Sequence, residues 1–352
     1  MNILDDARRR RRLDTEDLLR AFTLLPAQAR QAWGEARRLP LADLRGVRRV
    51  VVSGMGGSAL GAHVIRSVYG RKLKIPLEIV NGYRLPGGVD SRTLVVASSY
   101  SGSTEETLAA AAEAKRRRAK IIGICSGGRL ALLMEKLGAP AYVFDAKHNP
   151  GDRPRTALGY SLFGMLGLLH AGRILTNITP EVEGAIRALR RSVKRFGAAA
   201  PASRNPAKKI AALLEGKMPF FVAAEHLEGS AHVMANQLNE TAKNFGGWFP
   251  IPEMNHHLME GLKHAADGAA FVFFPSSLYH PRVQKRFPLS AAVAKKNGVA
   301  AARYDCREKT GLAQAAELLV FGGALTYYLA ILNRENPSPN PWVDWFKKQM
   351  AG

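Results

Sequence analysis

Short apolar runs alternate with longer stretches of helical periodicity between Val47 and Asp145, which is the pattern of parallel βαβ units. The apolar runs do not alternate with polar positions, as expected for strands of a sheet that helices cover on both faces. The predicted strands are residues 50–52, 77–80, 94–97, 121–125 and 142–144. The pattern therefore predicts an α/β fold with a parallel sheet in this part of the chain.

A second set of such units follows a segment that disfavours regular structure. Residues 197–206 read GAAAPASRNP, and their glycine, prolines and small side chains predict a linker. Beyond it, the predicted strands are residues 220–223, 270–274 and 299–304. Helices are predicted for residues 14–38, 161–175 and 180–196. The sheet therefore starts anew in the second half of the chain.

Length and composition agree with a folded protein of two domains. The chain has 352 residues, which exceeds what one hydrophobic core usually organises, and 47% of them are hydrophobic. Its two cysteines, Cys125 and Cys306, stand far apart without clustered histidines, which argues against a disulfide framework or a structural zinc site. The charged N-terminus is unlike a secretory signal, and the apolar run 318–332 is too short for a membrane span. We expect a cytoplasmic protein without membrane contact.

The net charge of +22 favours anionic partners without selecting one. Basic runs occur at residues 8–12 and 115–118. No helix-turn-helix, zinc-finger or aromatic RNA-binding signature accompanies them, so no specific nucleic-acid binding is predicted.

A glycine-rich turn follows the first predicted strand and opens a helix. Residues 53–61 read SGMGGSALG. Glycines let the backbone approach an anion, and the first turn of a helix offers free N–H groups and a favourable dipole, so we expect Gly56, Gly57 and Ser58 to bind phosphate. A dinucleotide-binding fold expects an acidic residue after the next strand, where Asn81 and Gly82 stand. No Gly-Lys-Ser/Thr sequence of a kinase-type loop follows.

A second anion-binding loop is predicted after residues 94–97. Residues 98–107 read SSYSGSTEET, and four of the hydroxyls can surround a phosphate dianion: Ser99, Ser101, Ser103 and Thr104. Capping of the next helix explains one hydroxyl but not four. Both loops lie at the carboxyl ends of strands, where ligands of open α/β sheets bind. The two loops together predict a phosphate site.

The two loops together resemble the SIS domain, which binds phosphorylated sugars. Five motifs occur in the order seen in the bifunctional phosphoglucose/phosphomannose isomerase family: residues 54–61, 99–107, 154–160 (PRTALGY), 239–243 (NETAK) and 252–256 (PEMNH). The chain departs from the family in its high arginine content and in His257, where many members have asparagine. The resemblance extends over nearly the whole chain.

This resemblance implies two SIS domains, each a parallel sheet flanked by helices in doubly wound, flavodoxin-like order. Residues 1–46 would form an N-terminal helical lead-in, and residues 47–175 the first SIS domain with its phosphate-binding loops. Residues 176–352 would form linker helices, the second SIS domain and a C-terminal helix. The implied activity interconverts glucose 6-phosphate and/or mannose 6-phosphate with fructose 6-phosphate through a cis-enediol, and the sequence does not rank the two aldoses.

By the same resemblance, Glu240 is the base that moves a proton between C1 and C2. If the family motif is set aside, Glu240 reads as an ordinary helix carboxylate that pairs with Lys243 or Asn244. His256 is implied as the acid/base for ring opening, and an imidazole that titrates near neutrality suits that task. In the family this histidine enters from the neighbouring subunit, which implies a homodimer.

Arg155 is implied as the cation beside the enediolate, because a guanidinium stays charged and can contact two oxygens; Arg153 is a close rival. Lys347 is implied as a lysine that helps ring opening, and Lys348 stands beside it. No metal or redox cofactor is expected. Two alternatives stay open: a sugar-phosphate-binding regulator built on SIS domains, and an isomerase that acts on an amino-sugar phosphate.

Overall fold

The computed structural model of the protein describes residues 3–266 and 268–350. Its first sheet has five parallel strands in the order β2-β1-β3-β4-β5, so the flavodoxin-like prediction is confirmed. The strands are β1 (Arg49–Ser53), β2 (Leu77–Val80), β3 (Thr93–Ser98), β4 (Lys120–Cys125) and β5 (Ala141–Val143). Because β1 and β3 are neighbours in parallel register, the two predicted phosphate loops leave the sheet side by side.

The second sheet has four parallel strands in the order β7-β6-β8-β9. They are β6 (Met218–Ala223), β7 (Gly247–Pro250), β8 (Ala269–Phe273) and β9 (Ala300–Arg303). The sequence predicted three of these and missed β7. That strand reads Gly-Trp-Phe-Pro, has no β-branched residue and ends in a proline, which suits its place at the edge of the sheet.

Helices surround both sheets. In the described residues they are α1 (Ala7–Leu13), α2 (Leu18–Thr23), α3 (Leu25–Ala36), α4 (Gly57–Tyr69), α5 (Glu105–Arg116), α6 (Gly128–Leu137), α7 (Leu158–Ala171), α8 (Thr179–Phe196), α9 (Pro206–Leu214), α10 (Glu228–Thr241), α11 (Pro281–Lys296), α12 (Gly311–Leu332) and α13 (Pro341–Met350). The predicted lead-in contains α1, α2 and α3, and the predicted linker connects α8 to α9. The domain boundaries at residues 46/47 and 175/176 stay predictions, and the outer ends at residues 1 and 352 lie outside the described residues.

One core helix, α12, packs against α8, α9 and α10. Every residue from 312 to 331 is buried. In the part of the chain that the structure describes, α12 is the one helix long and apolar enough to cross a membrane, and 94% of that apolar window is buried inside the protein. Its buried Glu317 pairs with Arg195 and accepts hydrogen bonds from the backbone N–H groups of Arg307 and Glu308. The apolar length of α12 is therefore that of a core helix, as predicted.

The two halves of the chain meet where α4 crosses α10, and a glycine makes this crossing possible. A Cβ atom at Gly229 would lie 2.5 Å from the carbonyl oxygen of His63 and 2.6 Å from Cα of Val64, both backbone atoms of α4. The N–H of Gly229 also donates to Oγ of Ser67, at 2.9 Å. Close backbone contact at this position therefore fixes how the helices that follow β1 and β6 lie against each other.

We predict that Gly229→Ala destabilises the protein by about 1–3 kcal/mol, because the added methyl group forces the two helix backbones apart. The matched control is Gly184→Ala in α8, where a Cβ would meet only the tip of the Arg187 side chain at 3.8 Å. Relief of the glycine entropy cost is expected to make that variant more stable by about 0.5–1 kcal/mol. Thermal unfolding midpoints check both, and equal midpoints for the two variants would contradict the crossing described here.

Candidate active site

The glycine turn after β1 is locked against the loop after β3. The N–H of Tyr100 donates to Oγ of Ser58 at 2.8 Å, and Oγ of Ser98 donates to the carbonyl of Ser58 at 2.7 Å. Gly56 has a φ of +47°, which other residues adopt rarely. Among the described residues, the N–H groups of Gly56 and Gly57 have no acceptor, so they are free to bind an anion at the start of α4.

The hydroxyl-rich loop forms the other side of this anion site. Oγ of Ser99 lies 2.8 Å from Oγ1 of Thr104, which stands directly before α5. Ser101 is exposed. Gly102, with a φ of +70°, approaches the start of α6 so closely that a Cβ there would lie 1.9 Å from the carbonyl oxygen of Gly127. This contact fixes the loop before any ligand arrives. The predicted phosphate residues thus belong to two adjoining loops, although their contact with a ligand stays a prediction.

A hydrogen-bond network under the loop ties it to the segment before α7. The hydroxyl of Tyr100 donates to Oδ1 of Asp152 at 2.5 Å and accepts from the side-chain amide of Asn149 at 2.9 Å. Asn149 also accepts from Oγ1 of Thr156 at 2.7 Å. Burial, with the nearby carboxylate second, raises the pKa of Tyr100. Sequence reasoning missed this network, since tyrosine and asparagine in loops carry no periodic signal.

Arg155 is 1% exposed and its guanidinium holds three segments together. Nη2 donates to the carbonyls of Pro337 and Ser338, at 2.9 and 2.6 Å, and Nε donates to Oγ1 of Thr241 at 3.3 Å. Nη1 lies 3.5 Å from Oε2 of Glu240. Burial lowers the pKa of Arg155, but an arginine stays charged in proteins. The buried cation is therefore paired with the carboxylate that the sequence predicts as the base.

Arg153, the other arginine considered for the cation beside the enediolate, lies in a more exposed environment than Arg155. Its side chain is 29% exposed and pairs with Glu16 at 3.1 Å. Of the two arginines, only Arg155 has an ion pair with Glu240 within the described residues.

Glu240 lies in the last turn of α10 with its side chain 32% exposed. Its Oε2 accepts a hydrogen bond from Nδ2 of Asn340 at 2.9 Å. Nζ of Lys243 donates to Oδ1 of the same Asn340 at 3.2 Å. Burial, and after it the charge of Arg155, lowers the pKa of Lys243 to about 8. Sequence reasoning named Lys243 only as an ordinary partner of Glu240 and missed Asn340, which no motif marks.

His256 and Lys347, the other predicted catalytic residues, are exposed. His256 ends a short 3₁₀ turn after β7, and Lys347 lies on α13, whose residues are all exposed. Within residues 3–266 and 268–350, neither side chain has a hydrogen bond or ion pair. His257 instead lies 2.8 Å from a carboxylate oxygen of Glu253. The structure therefore brings together Arg155 and Glu240 but does not join His256 or Lys347 to them within one chain.

Comparisons with known proteins match both halves of the chain. A family model described as the SIS domain matches residues 43–133, and one described as the bacterial phospho-glucose isomerase C-terminal SIS domain matches residues 203–350. The chain is 32% identical to a bifunctional phosphoglucose/phosphomannose isomerase of Caldicellulosiruptor bescii, over 93% of this chain and 97% of that protein. A protein of the same description from Thermoplasma volcanium is 28% identical, over 86% and 91% of the two chains.

A solved structure shares the fold. A protein of Thermus thermophilus described as hypothetical has a TM-score of 0.73 at 18% identity, covering 98% of this chain and 94% of that one.

We predict that Arg155→Lys lowers the free energy of unfolding by at least about 2 kcal/mol, because an ammonium cannot reach Thr241 and both carbonyls together. The segment 333–350 is expected to become a site of rapid cleavage in limited proteolysis. Arg153→Lys is the matched control and is expected to change stability by less than about 0.5 kcal/mol, because its ion pair is solvent-exposed. Identical cleavage patterns in the two variants would show that Arg155 does not hold the segment.

Proposed function

The chain belongs to the bifunctional phosphoglucose/phosphomannose isomerase family and is an aldose/ketose isomerase, and we propose that it interconverts both glucose 6-phosphate and mannose 6-phosphate with fructose 6-phosphate through a cis-enediol. The observation that carries this proposal is the half-buried Glu240 carboxylate beside the Arg155 guanidinium. Loss of the C2 proton makes C2 planar. Two aldoses that differ only at C2 therefore give the same enediol, and one base serves both when rotation about the C2–C3 bond turns the C2 proton of either aldose toward it.

The substrate phosphate is bound between the two loops, by Gly56, Gly57, Ser58, Ser99, Ser101 and Thr104. Free N–H groups at the start of α4 and hydroxyls before α5 supply the hydrogen bonds, and both helix dipoles favour the dianion. These loops are held in place before binding by the contacts of Ser58 and Gly102. Rigid anchoring of the phosphate sets the distance from it to C1 and C2.

Glu240 takes the C2 proton of the open-chain aldose and returns it to C1, while a proton moves from O2 to O1 to give the ketose. Arg155 stabilises the enediolate oxygen electrostatically, because Nη1 faces the same space as the base while Nε and Nη2 are bound to protein oxygens. No metal or redox cofactor takes part in these steps.

His256 opens the sugar ring in the site of a second copy of this chain, in a homodimer. Its exposure and its lack of an internal partner in the described residues support this role. A second support is α13, which leaves Trp342, Trp345 and Phe346 exposed by 81, 57 and 59%, more apolar surface than an isolated helix on a monomer usually presents. Lys347, on the same helix, assists ring opening once that surface is covered.

We also propose a cytoplasmic location. Cys125 and Cys306 are both unpaired, which fits a reducing compartment.

Glu240→Gln is expected to lower kcat for fructose 6-phosphate formation by about 10²–10⁴-fold from either aldose, because a general base contributes that much. A coupled assay in the presence of EDTA measures it. Glu215→Gln, at an exposed position after α9, is the matched control and keeps wild-type turnover. Turnover of neither aldose by the wild type would reject the proposed function, and full turnover by Glu240→Gln would reject the base.

A mixture of Glu240→Gln and His256→Asn protomers is expected to regain about a quarter of wild-type activity, although each variant alone is inactive. In the hybrid dimer one site combines an intact Glu240 with an intact His256 from the partner chain, and random reassociation makes about half of the dimers hybrid. Activity is measured after mixing, unfolding and refolding together. If the mixture stays as inactive as its components while light scattering reports a dimer, His256 does not act across the interface.

A further inference from the structure

Asn340 connects the two charged side chains at the end of α10. Its Nδ2 lies 2.9 Å from Oε2 of Glu240, and its Oδ1 lies 3.2 Å from Nζ of Lys243. It stands directly before α13, far from α10 in the sequence. The carboxamide thus spans from a carboxylate to an ammonium group.

The chemistry of these neighbours fixes which way the carboxamide faces. An ammonium can only donate hydrogen bonds, so the oxygen of Asn340 must face Lys243. An ionised carboxylate can only accept them, so the NH₂ group must face Glu240. A flipped amide would place donor against donor and acceptor against acceptor. Asn340 therefore has one orientation when Lys243 is charged and Glu240 is ionised.

Lys243 is itself held in place. It adopts a left-handed backbone conformation, with a φ of +52°, immediately after α10, and its Nζ also donates to the main-chain carbonyl of Glu240. Burial lowers its pKa to about 8, so the ammonium form predominates near neutral pH. The charged groups that act on it come from three segments: Arg153, Arg155, Glu240 and Glu335.

We propose that Asn340 is a positioning residue for the isomerase base: oriented by Lys243, its amide holds Oε2 of Glu240 and leaves Oε1 to reach the substrate carbons. This inference rests on the proposed function of Glu240. Within the described residues, Oε2 contacts Asn340 and Arg155, whereas Oε1 has no hydrogen-bond partner. Because proton transfer from carbon requires close alignment, a small displacement of the carboxylate lowers the rate strongly.

Anchoring of the C-terminal segment is the competing explanation for these bonds. That segment is already bound by Arg155 through the carbonyls of Pro337 and Ser338. Nδ2 of Asn336, in the same segment, also donates to Oγ1 of Thr15 at 3.1 Å. The side chain of Asn340 is thus not needed to attach the segment, and its contact with the base calls for a separate role.

The test measures kcat and KM against pH for fructose 6-phosphate formation by Asn340→Ala and Asn340→Asp. Asn340→Ala is expected to lower kcat about 10- to 100-fold, with KM changed less than about threefold. Loss of the amide donor destabilises the ionised form of Glu240, so the acidic limb of the kcat profile moves to higher pH. Asn340→Asp places a like charge beside Glu240 and is expected to move that limb further, by about one pH unit or more.

Lys243→Met tests the same contact if the Asn340 variants fold poorly. It removes the group that orients the amide while Asn340 stays in place, so kcat is expected to fall in the same direction. Because both residues act through one contact, the double variant Lys243→Met/Asn340→Ala is expected to lose little more than Asn340→Ala alone. The control is Asn336→Ala. In the described residues its amide accepts from the N–H of Ser338 and donates to Oγ1 of Thr15, so this variant removes contacts of the same segment that do not involve Glu240, and it leaves the kcat profile unmoved.

Two results would overturn the proposal. One is that both Asn340 variants have lower thermal unfolding midpoints while the acidic limb of their kcat profiles does not shift. Asn340 would then have a purely structural role. The other is full additivity in the double variant. Failure of the proposed function gives a different result, because the wild type would then form no fructose 6-phosphate. If only the positioning role fails, the wild type still turns over and Glu240→Gln still loses activity.

Discussion

The buried guanidinium of Arg155 is the interaction on which the rest of the site depends. A cation out of contact with water is costly unless its donors are satisfied, and here the partners come from α10 and from the segment before α13. These segments lie far apart in the sequence. Satisfying one buried charge therefore fixes the end of α10, the carboxylate of Glu240 and the start of the C-terminal helix relative to one another.

The predicted phosphate loops and the proposed base differ in how they are held. The loops are fixed, because Gly102 packs against backbone and Ser58 joins the two loops through hydrogen bonds. Glu240 is likewise held, yet its side chain keeps a third of its surface exposed. His256 and α13 remain on open surface. Under the proposed function, one chain would therefore preorganise phosphate binding and proton transfer, and a second chain would supply the group for ring opening.

Most strands, and the loops that open α4 and α5, could be predicted because their signals are local: β-branched runs, glycines at turns and clustered hydroxyls. The edge strand β7 carries no such signal and was missed. Sequence periodicity could not predict the ion pair of Arg155 with Glu240, because the two residues lie far apart in the chain and only the fold brings them together. Asn340 and the network of Tyr100 with Asp152 were missed for the same reason, because their partners are tertiary.

Isomerisation in D₂O shows whether Glu240 moves a proton between C1 and C2. A carboxylate that holds the transferred proton exposes it to exchange with solvent, so we expect deuterium at C1 of the fructose 6-phosphate that the wild type forms. Glu240→Gln should incorporate deuterium no faster than the uncatalysed reaction. Mass spectrometry of the product measures the deuterium. Wild-type turnover without any deuterium, or undiminished incorporation by Glu240→Gln, would show that Glu240 does not carry the proton.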